Sequence, residues 1–497
     1  MSKHVYFLFL SCLAIMPVYG QEAPATYRHH FGEVISLDFK QAESYLNSGS
    51  ETDITGMAYR YHLAGYRDFL KVFLLEEEAV FEEALERREE YLDFWEAMPE
   101  HMPEREYFQG DTYLRWALLR LKFDQKFRAA IEMNKAYRLL RSTLEKNPAF
   151  IPAKTGMGVM EVFIGTVPER YQWVLSILNF RGSVSAGKQK MQEVLNIAEQ
   201  NSDYAYLRFP TLFMRSFIDM NLSDNIDTSI VRRLEKLDDK GVIAEQPLLI
   251  FLYGGLLQKQ QQNEKALSVL NYYSLEDQDI PFYYLYYMKG QSQLYAMNED
   301  CVASLRRFTN LFKGRHYLKA AYQKIAWHYL IEGDTAKYHS AMKEVVLYGE
   351  AVTGADEQAL QEAKSDKVPS VRLLKSRLLF DGGYYQKALH VLQQEAFVSE
   401  NAEEQTELDY RQGRIFHKMR RYEDALEKYE KAYRSGKDLK AYYAANSMLM
   451  AGRIYLEKGN ITSARSAFKQ CLDLSGFQYQ YAIHQKAKAG LTETEND

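Results

Sequence analysis

One spacing constrains this chain more than any other feature. From Gly413, an aromatic follows three residues on (Phe416), an alanine at twelve (Ala425), a large residue at sixteen (Tyr429) and a small one at nineteen (Ala432). The same ruler laid on Gly452 meets Tyr455, Ala464, Phe468 and Cys471. On Ser376 it meets Leu379, Ala388, Leu392 and Glu395, and on Gly254 it meets Leu257, Ala266, Leu270 and Tyr273. A small residue lets a second helix approach closely, and large residues fill the space around the contact, so the recurrence predicts helix pairs stacked in register.

This pattern resembles the tetratricopeptide repeat, strongly over 369–475 and more loosely over 245–345. The anchors 376, 413 and 452 are 37 and 39 residues apart, which implies slightly longer helices or turns than that repeat ordinarily has. Degenerate copies start near Gly290 and Ala326, where the ruler slips. Upstream, Ala136, Leu140 and Pro148 stand in the order expected at the end of a repeat, followed by Gly158. The resemblance implies an all-α, right-handed superhelical solenoid of antiparallel helix pairs with a concave groove. The expected organisation is a signal peptide at 1–20, an N-terminal helical region at 21–110 and a degenerate array at 111–350. A polar connection at 351–368 then leads into a C-terminal array with a capping helix at 369–497.

Counting from Gly158, the best match to the second-helix alanine is Gly187, 29 residues on instead of 12. One extra helix, PERYQWVLSILNF at 168–180, is therefore predicted within that repeat. Pro168 stands at its first turn, Trp173, Ile177 and Phe180 follow at helical spacing, and Arg181-Gly182 ends it. A helix this short neither stands alone nor crosses a bilayer, so it docks on its own array or forms a lip over a groove. The surrounding segment, from Gly165 to Leu195, is similar to one in eukaryotic inclusion-body-clearance tetratricopeptide proteins. That family offers no catalytic residues to carry over, and its intracellular setting differs from the export expected here.

Export is read from the first residues: Lys3 and His4, an apolar run from Val5 to Met16, then Val18-Tyr19-Gly20 before a cleavage at Gln21. A single uncleaved anchor is one alternative, although the run is short of the roughly 20 residues a spanning helix needs, and Cys12 within the run raises lipidation as another. The expected destination is the periplasm or the extracellular space. No later segment reaches spanning length, since Leu248 to Leu257 is interrupted by Gly254 and Gly255. Cys301 and Cys471 are too few for a disulfide framework and predict two buried thiols. A net charge of −5 gives no sign of nucleic-acid binding.

Linear catalytic motifs are absent, and the expectation is a non-enzymatic scaffold with no cofactor and no metal. Ligand capture of a glycan or nutrient near Trp173, and a helical hydrolase without a linear motif, stand as alternatives. His29 and His30 are adjacent but lack a cysteine or third histidine nearby. In tetratricopeptide arrays the residue after the small first-helix anchor faces the groove. Here that residue is Arg377, Arg414 and Arg453 in three successive repeats, with Tyr410 and His417 one turn either side of Arg414 and Lys488 on the final helix. A row of guanidinium forks suits the carboxylates of a peptide partner, an acidic segment or a free C-terminus. Such a partner could also tie the chain to a membrane complex. Three local expectations complete the reading. Asp38, Asp111, Ser183, Asp203 and Asp438 start helices. Residues 75–96 form a helix with Phe81, Leu85, Leu92 and Trp95 on one face and a solvated acidic remainder. Each tyrosine doublet (272–273, 283–284, 286–287, 442–443) sends one ring inward and one outward.

Overall fold

A computed structural model describes residues 23–48, 53–167, 180–222, 226–276, 278–365, 367–394 and 401–495. The expected signal peptide, Trp173 and Ile177 lie outside these residues. The described residues form helices and turns, with no strand among them. They fall into two compact units, Met1–Phe73 with Glu78–Ile218, and Leu74–Glu77 with Asp219–Asp497.

The first unit contains α1 (Ala25–Ile35), α2 (Phe39–Leu46), α3 (Ile54–Leu75), α4 (Glu78–Ala97), α5 (Pro103–Lys122), α6 (Lys126–Lys146), α7 (Ile151–Gly165) and α8 (Val184–Gln200). The next helix, α9 (Arg208–Leu222), runs through the division. Helices pack in chain order, α5 on α6, α6 on α7 and α7 on α8. The α7–α8 crossing bears out the sequence count. A Cβ built on Gly187 would lie 2.3 Å from the carbonyl oxygen of Gly158, and one on Gly158 2.8 Å from that of Gly187. Glycine stands where the alanine is expected because the two backbones touch. Phe180, at the end of the inserted segment, packs 4.6 Å from the Tyr137 ring on α6. The Tyr137 hydroxyl also accepts the Arg181 N–H at 2.9 Å, so this end docks on its own array.

Asp111 is not a helix start. Pro103 begins α5 two turns earlier, which turns Asp111 into the core. There its carboxylate accepts from Arg115 Nε at 2.9 Å and from His62 Nε2 at 3.0 Å. The Tyr27 hydroxyl, 2.8 Å away, donates to the other ring nitrogen of His62. Ser183 caps α8 as expected, accepting the Ala186 N–H. Asp38 stands at the N-cap of α2. Asp203 lies one residue inside a short 3₁₀ turn capped by Asn201, and Asp438 follows a helix rather than preceding one. On α4, Phe81, Leu92 and Trp95 are buried and Leu85 is half-buried. The charged remainder of that helix is not uniformly solvated. Arg88 turns inward to Glu132 at 2.9 Å, which also accepts from Arg120 at 2.8 Å.

The second unit contains α10 (Thr228–Asp238), α11 (Pro247–Lys259), α12 (Asn263–Leu270), α13 (Tyr284–Tyr295), α14 (Cys301–Leu311), α15 (Leu318–Ile331), α16 (Thr335–Leu347) and α17 (Gly354–Lys364). It continues with α18 (Val371–Asp381), α19 (Tyr385–Gln393), α20 (Ala402–Lys418), α21 (Tyr422–Gly436), α22 (Tyr443–Glu457), α23 (Ile461–Asp473) and α24 (Gln480–Glu493). Each of the last five touches its neighbour, and α20 also touches α22, as α22 touches α24. That is the packing of stacked helix pairs. The ruler has a direct physical meaning: the residue sixteen on sits on the anchor. A Cβ on Gly413 would lie 2.6 Å from the Tyr429 ring, one on Gly452 2.5 Å from Phe468 and one on Gly254 3.1 Å from Leu270. Where serine replaces glycine, Ser376 Oγ donates instead to the Ala388 carbonyl, twelve residues on, at 3.1 Å.

The 351–368 stretch carries α17, opened by a capping box between Thr353 and Asp356. Asp356 is buried and also accepts the N–H groups of Tyr317 and Ala320, which fixes α17 to the start of α15. Cys301 and Cys471 are buried free thiols, as expected. The tyrosine doublets follow the expected rule only at Tyr272 and Tyr273, which are 43% and 6% exposed. Tyr286 and Tyr287 are both buried because α13 packs against α12, α14 and α15 at once. No helix among the described residues is long and apolar enough to cross a membrane.

Candidate binding cleft

The first helices α15, α18 and α20 pack side by side, and the residue after each anchor turns toward the preceding helix. Arg377, beside buried Ser376, places its guanidinium 4.4 Å from the ring centre of Trp327 on α15. Arg414, beside Gly413, lies 4.2 Å from the Phe380 ring on α18. Two guanidiniums thus rest on aromatic faces one repeat apart, an arrangement that fixes them without neutralising them. Together with Ser376, Phe380, Arg411 and Ile415 they line one cleft.

The charge in this cleft is unbalanced. Among the described residues neither Arg377 nor Arg414 has an ion pair, and one terminal nitrogen of Arg377 is buried without a hydrogen-bond partner. Arg411 is buried and paired with Glu407 through Nε at 2.6 Å. Lys324 on α15 is 7% exposed and has one partner, the Tyr287 hydroxyl at 2.9 Å. Burial pushes its amine down to about 8, against the pull of Asp356. Asp381, at the end of α18, is the acid closest to balancing the group. Burial raises its pKa, while Arg414, Arg377, Arg411 and Lys324 draw it down. No nitrogen of these four lies within ion-pair distance of its carboxylate. Fixed cations, aromatic walls and too few acids suit an anionic group at the mouth of this cleft, whose interior has no room for a water molecule as it stands.

The expected groove residues separate on this geometry. Arg377 and Arg414 come together. Tyr410 is 1% exposed and belongs to the core rather than the groove surface: its hydroxyl accepts from Asn446 Nδ2 at 2.6 Å and its ring packs on Tyr442 and Tyr443. His417 is half-buried, with Nδ1 3.5 Å from the Tyr429 hydroxyl and Nε2 3.7 Å from Glu457. Burial lowers its pKa. Arg453 and Lys488 are exposed, and the side chain of neither has a partner among the described residues. The ladder stops at two rungs because the position four after the anchor, Phe380 in one repeat, is His417 in the next. Of the residues expected at a lip, Phe180 lies in the first unit against Tyr137. The spacing argument misses Lys324, Trp327, Asp381 and Arg411. Trp327 was within reach of it, since it directly follows the anchor Ala326.

Residues 404–475 match the tetratricopeptide repeat family. The chain is thus a helical repeat protein carrying tetratricopeptide repeats over α20 to α23, the stretch that supplies Arg411 and Arg414. No curated protein matches the sequence. Among solved structures, a monomeric IFIT1 mutant with Gppp-AAAA is 11% identical, over 90% of this chain and 95% of that one, at a TM-score of 0.33. The human IFIT1 dimer with PPP-AAAA is 12% identical, over 90% of this chain and 94% of that one, at a TM-score of 0.31. Similarity at that level carries neither a site nor a function across.

Proposed function

We propose that the protein is an exported, non-enzymatic scaffold that holds an anionic segment of a partner protein in the α15–α18–α20 cleft. The observation that carries this reading is the pair Arg377 and Arg414, immobilised on Trp327 and Phe380 without an ion pair of their own. A carboxylate, from an acidic stretch or a free C-terminus, matches the planar fork of a guanidinium. The aromatic walls would cover the apolar part of the same segment. Export is supported by the charged, apolar and small-residue order of residues 1–20.

The test is co-purification from the native host, comparing wild type with an Arg377→Gln, Arg414→Gln double variant. Each charged hydrogen bond removed costs about 1.5–3 kcal/mol, so a partner held through both arginines should be lost by the double variant while circular dichroism stays unchanged. The same partners recovered with both proteins would refute the cleft as the binding site.

A further inference from the structure

Away from the cleft, α1 gathers a second set of donor atoms. His29 Nε2 lies 3.2 Å from Glu33 Oε1, and His30 Nδ1 lies 2.7 Å from Glu33 Oε2. One ligand atom from each of the three side chains falls within 4.8 Å of the other two. The two histidines alone form no metal site, but a carboxylate one helical turn on completes a set of two nitrogens and one oxygen. We propose that His29, His30 and Glu33 bind a single zinc ion.

Zinc takes imidazole nitrogen at about 2.0–2.1 Å and carboxylate oxygen at about 2.0–2.2 Å. Tetrahedral ligands at those lengths lie roughly 3.3–3.5 Å apart, so the His29–Glu33 separation of 3.2 Å needs little change, while the 2.7 Å between His30 Nδ1 and the other Glu33 oxygen must open by roughly 0.6–0.8 Å. One ligand, His30, is held in place. The His30 ring stacks on Tyr45 at 4.7 Å and 14°, and α1 is fastened to the core by Tyr27 and Phe31, each 2% exposed. His29, with its side chain 72% exposed, is free to swing in as the third ligand. Mixed imidazole and carboxylate donors favour a borderline ion such as zinc over magnesium or calcium, which prefer oxygen alone. Three protein ligands leave a fourth position open to water or to a partner's side chain. In the metal-free protein the same atoms are joined by histidine–carboxylate hydrogen bonds, so metal and proton compete for the site.

The experiment is a calorimetric titration of the untagged protein with zinc at pH 7.5, repeated with cobalt(II), whose visible absorption reports ligand number. Wild type, His29→Ala and Glu33→Gln are compared. The expected result is one ion per chain, with affinity reduced at least tenfold in each variant and helicity unchanged by circular dichroism. His29→Ala keeps the test independent of folding, because that side chain is mostly in solvent. Absence of binding to wild type, or equal affinity in His29→Ala, would overturn the proposal.

Discussion

Replacing Gly187 by alanine tests whether the backbone contact at the α7–α8 crossing has been understood. The new Cβ would sit 2.3 Å from Gly158 O, 2.8 Å from Val162 Cγ2 and 2.9 Å from Val162 N. Two of these atoms are backbone, so no side-chain rotation relieves the overlap and the helices must part by about 1 Å to restore ordinary van der Waals distance. Overpacking of this kind costs about 1–3 kcal/mol, and backbone on the receiving side places it at the upper end. The higher helix propensity of alanine returns about 1 kcal/mol. A net loss of about 2 kcal/mol follows, or roughly 4–8 °C in the Tm of a unit this size. Gly32→Ala is the internal control. It lies within α1 of the same unit with nothing within 4 Å of its added Cβ, and should gain roughly 0.5–1 kcal/mol. The tryptophans are Trp95, Trp116, Trp173 and Trp327, and the last is the one in the second unit. A Trp327→Phe background therefore makes tryptophan fluorescence report the first unit. If Gly187→Ala melts at or above the parent while Gly32→Ala is stabilising, the close-contact argument is wrong.

Two pH dependences follow from buried basic groups. Burial pushes the His62 ring down from 6.5 to about 4, so between those values the unfolded chain holds a proton that the folded one refuses. First-unit stability is then complete above pH 6.5 and falls as pH drops toward 4, by about 2 kcal/mol from pH 7 to 5. Urea titrations should show that slope diminished in His62→Gln; an unchanged slope would assign it to other groups. Lys324 is also depressed, from 10.5 to about 8, so its charged form is disfavoured in the fold below pH 8. Relief comes as pH rises from 8 toward 10.5, adding about 2 kcal/mol to the second unit between pH 8 and 10. The difference between wild type and Lys324→Met over that range isolates the effect, and parallel curves would contradict it.

The helix pairs were legible in the sequence because their contacts are short in sequence and made by residue size. Gly413 and Tyr429, or Gly452 and Phe468, face each other at a fixed offset, so one ruler finds them all. Even the exception at Gly187 was readable, since only a residue without a Cβ fits against Gly158. The candidate cleft was half legible. Arg377 and Arg414 follow from register, but what holds them comes from the preceding repeat, fifty residues upstream for Trp327 and thirty-four for Phe380. Tyr410, one turn from Arg414 along the same helix, has its ring 5.8 Å from that guanidinium and yet is buried. Proximity on a helix does not distinguish the side facing the cleft from the side facing α22, where Asn446 awaits its hydroxyl. Asp111 looked like a cap by residue type, and only Pro103 eight residues earlier shows that the helix has already begun.

The cleft also explains why so much charge is tolerated inside a helical repeat. Lys324 and Arg377 would be better replaced by apolar side chains if stability alone mattered, because a buried cation without a counter-ion bears most of its desolvation cost uncompensated. Contact with Tyr287 and Trp327 recovers part of that cost but leaves the charge itself without a counter-ion, as the proposed binding role requires. An anion seated among these groups would lift Lys324 back toward its ordinary value and give the buried Arg377 nitrogen the acceptor it lacks. Binding would therefore draw on strain already present in the free unit, so affinity and second-unit stability would rise from the same contacts. Arg411 is already paired with Glu407, and Asp381 tempers the charge of Arg377, Arg414 and Lys324. It stands outside ion-pair distance of all four, so a ligand carboxylate need not displace an existing salt bridge.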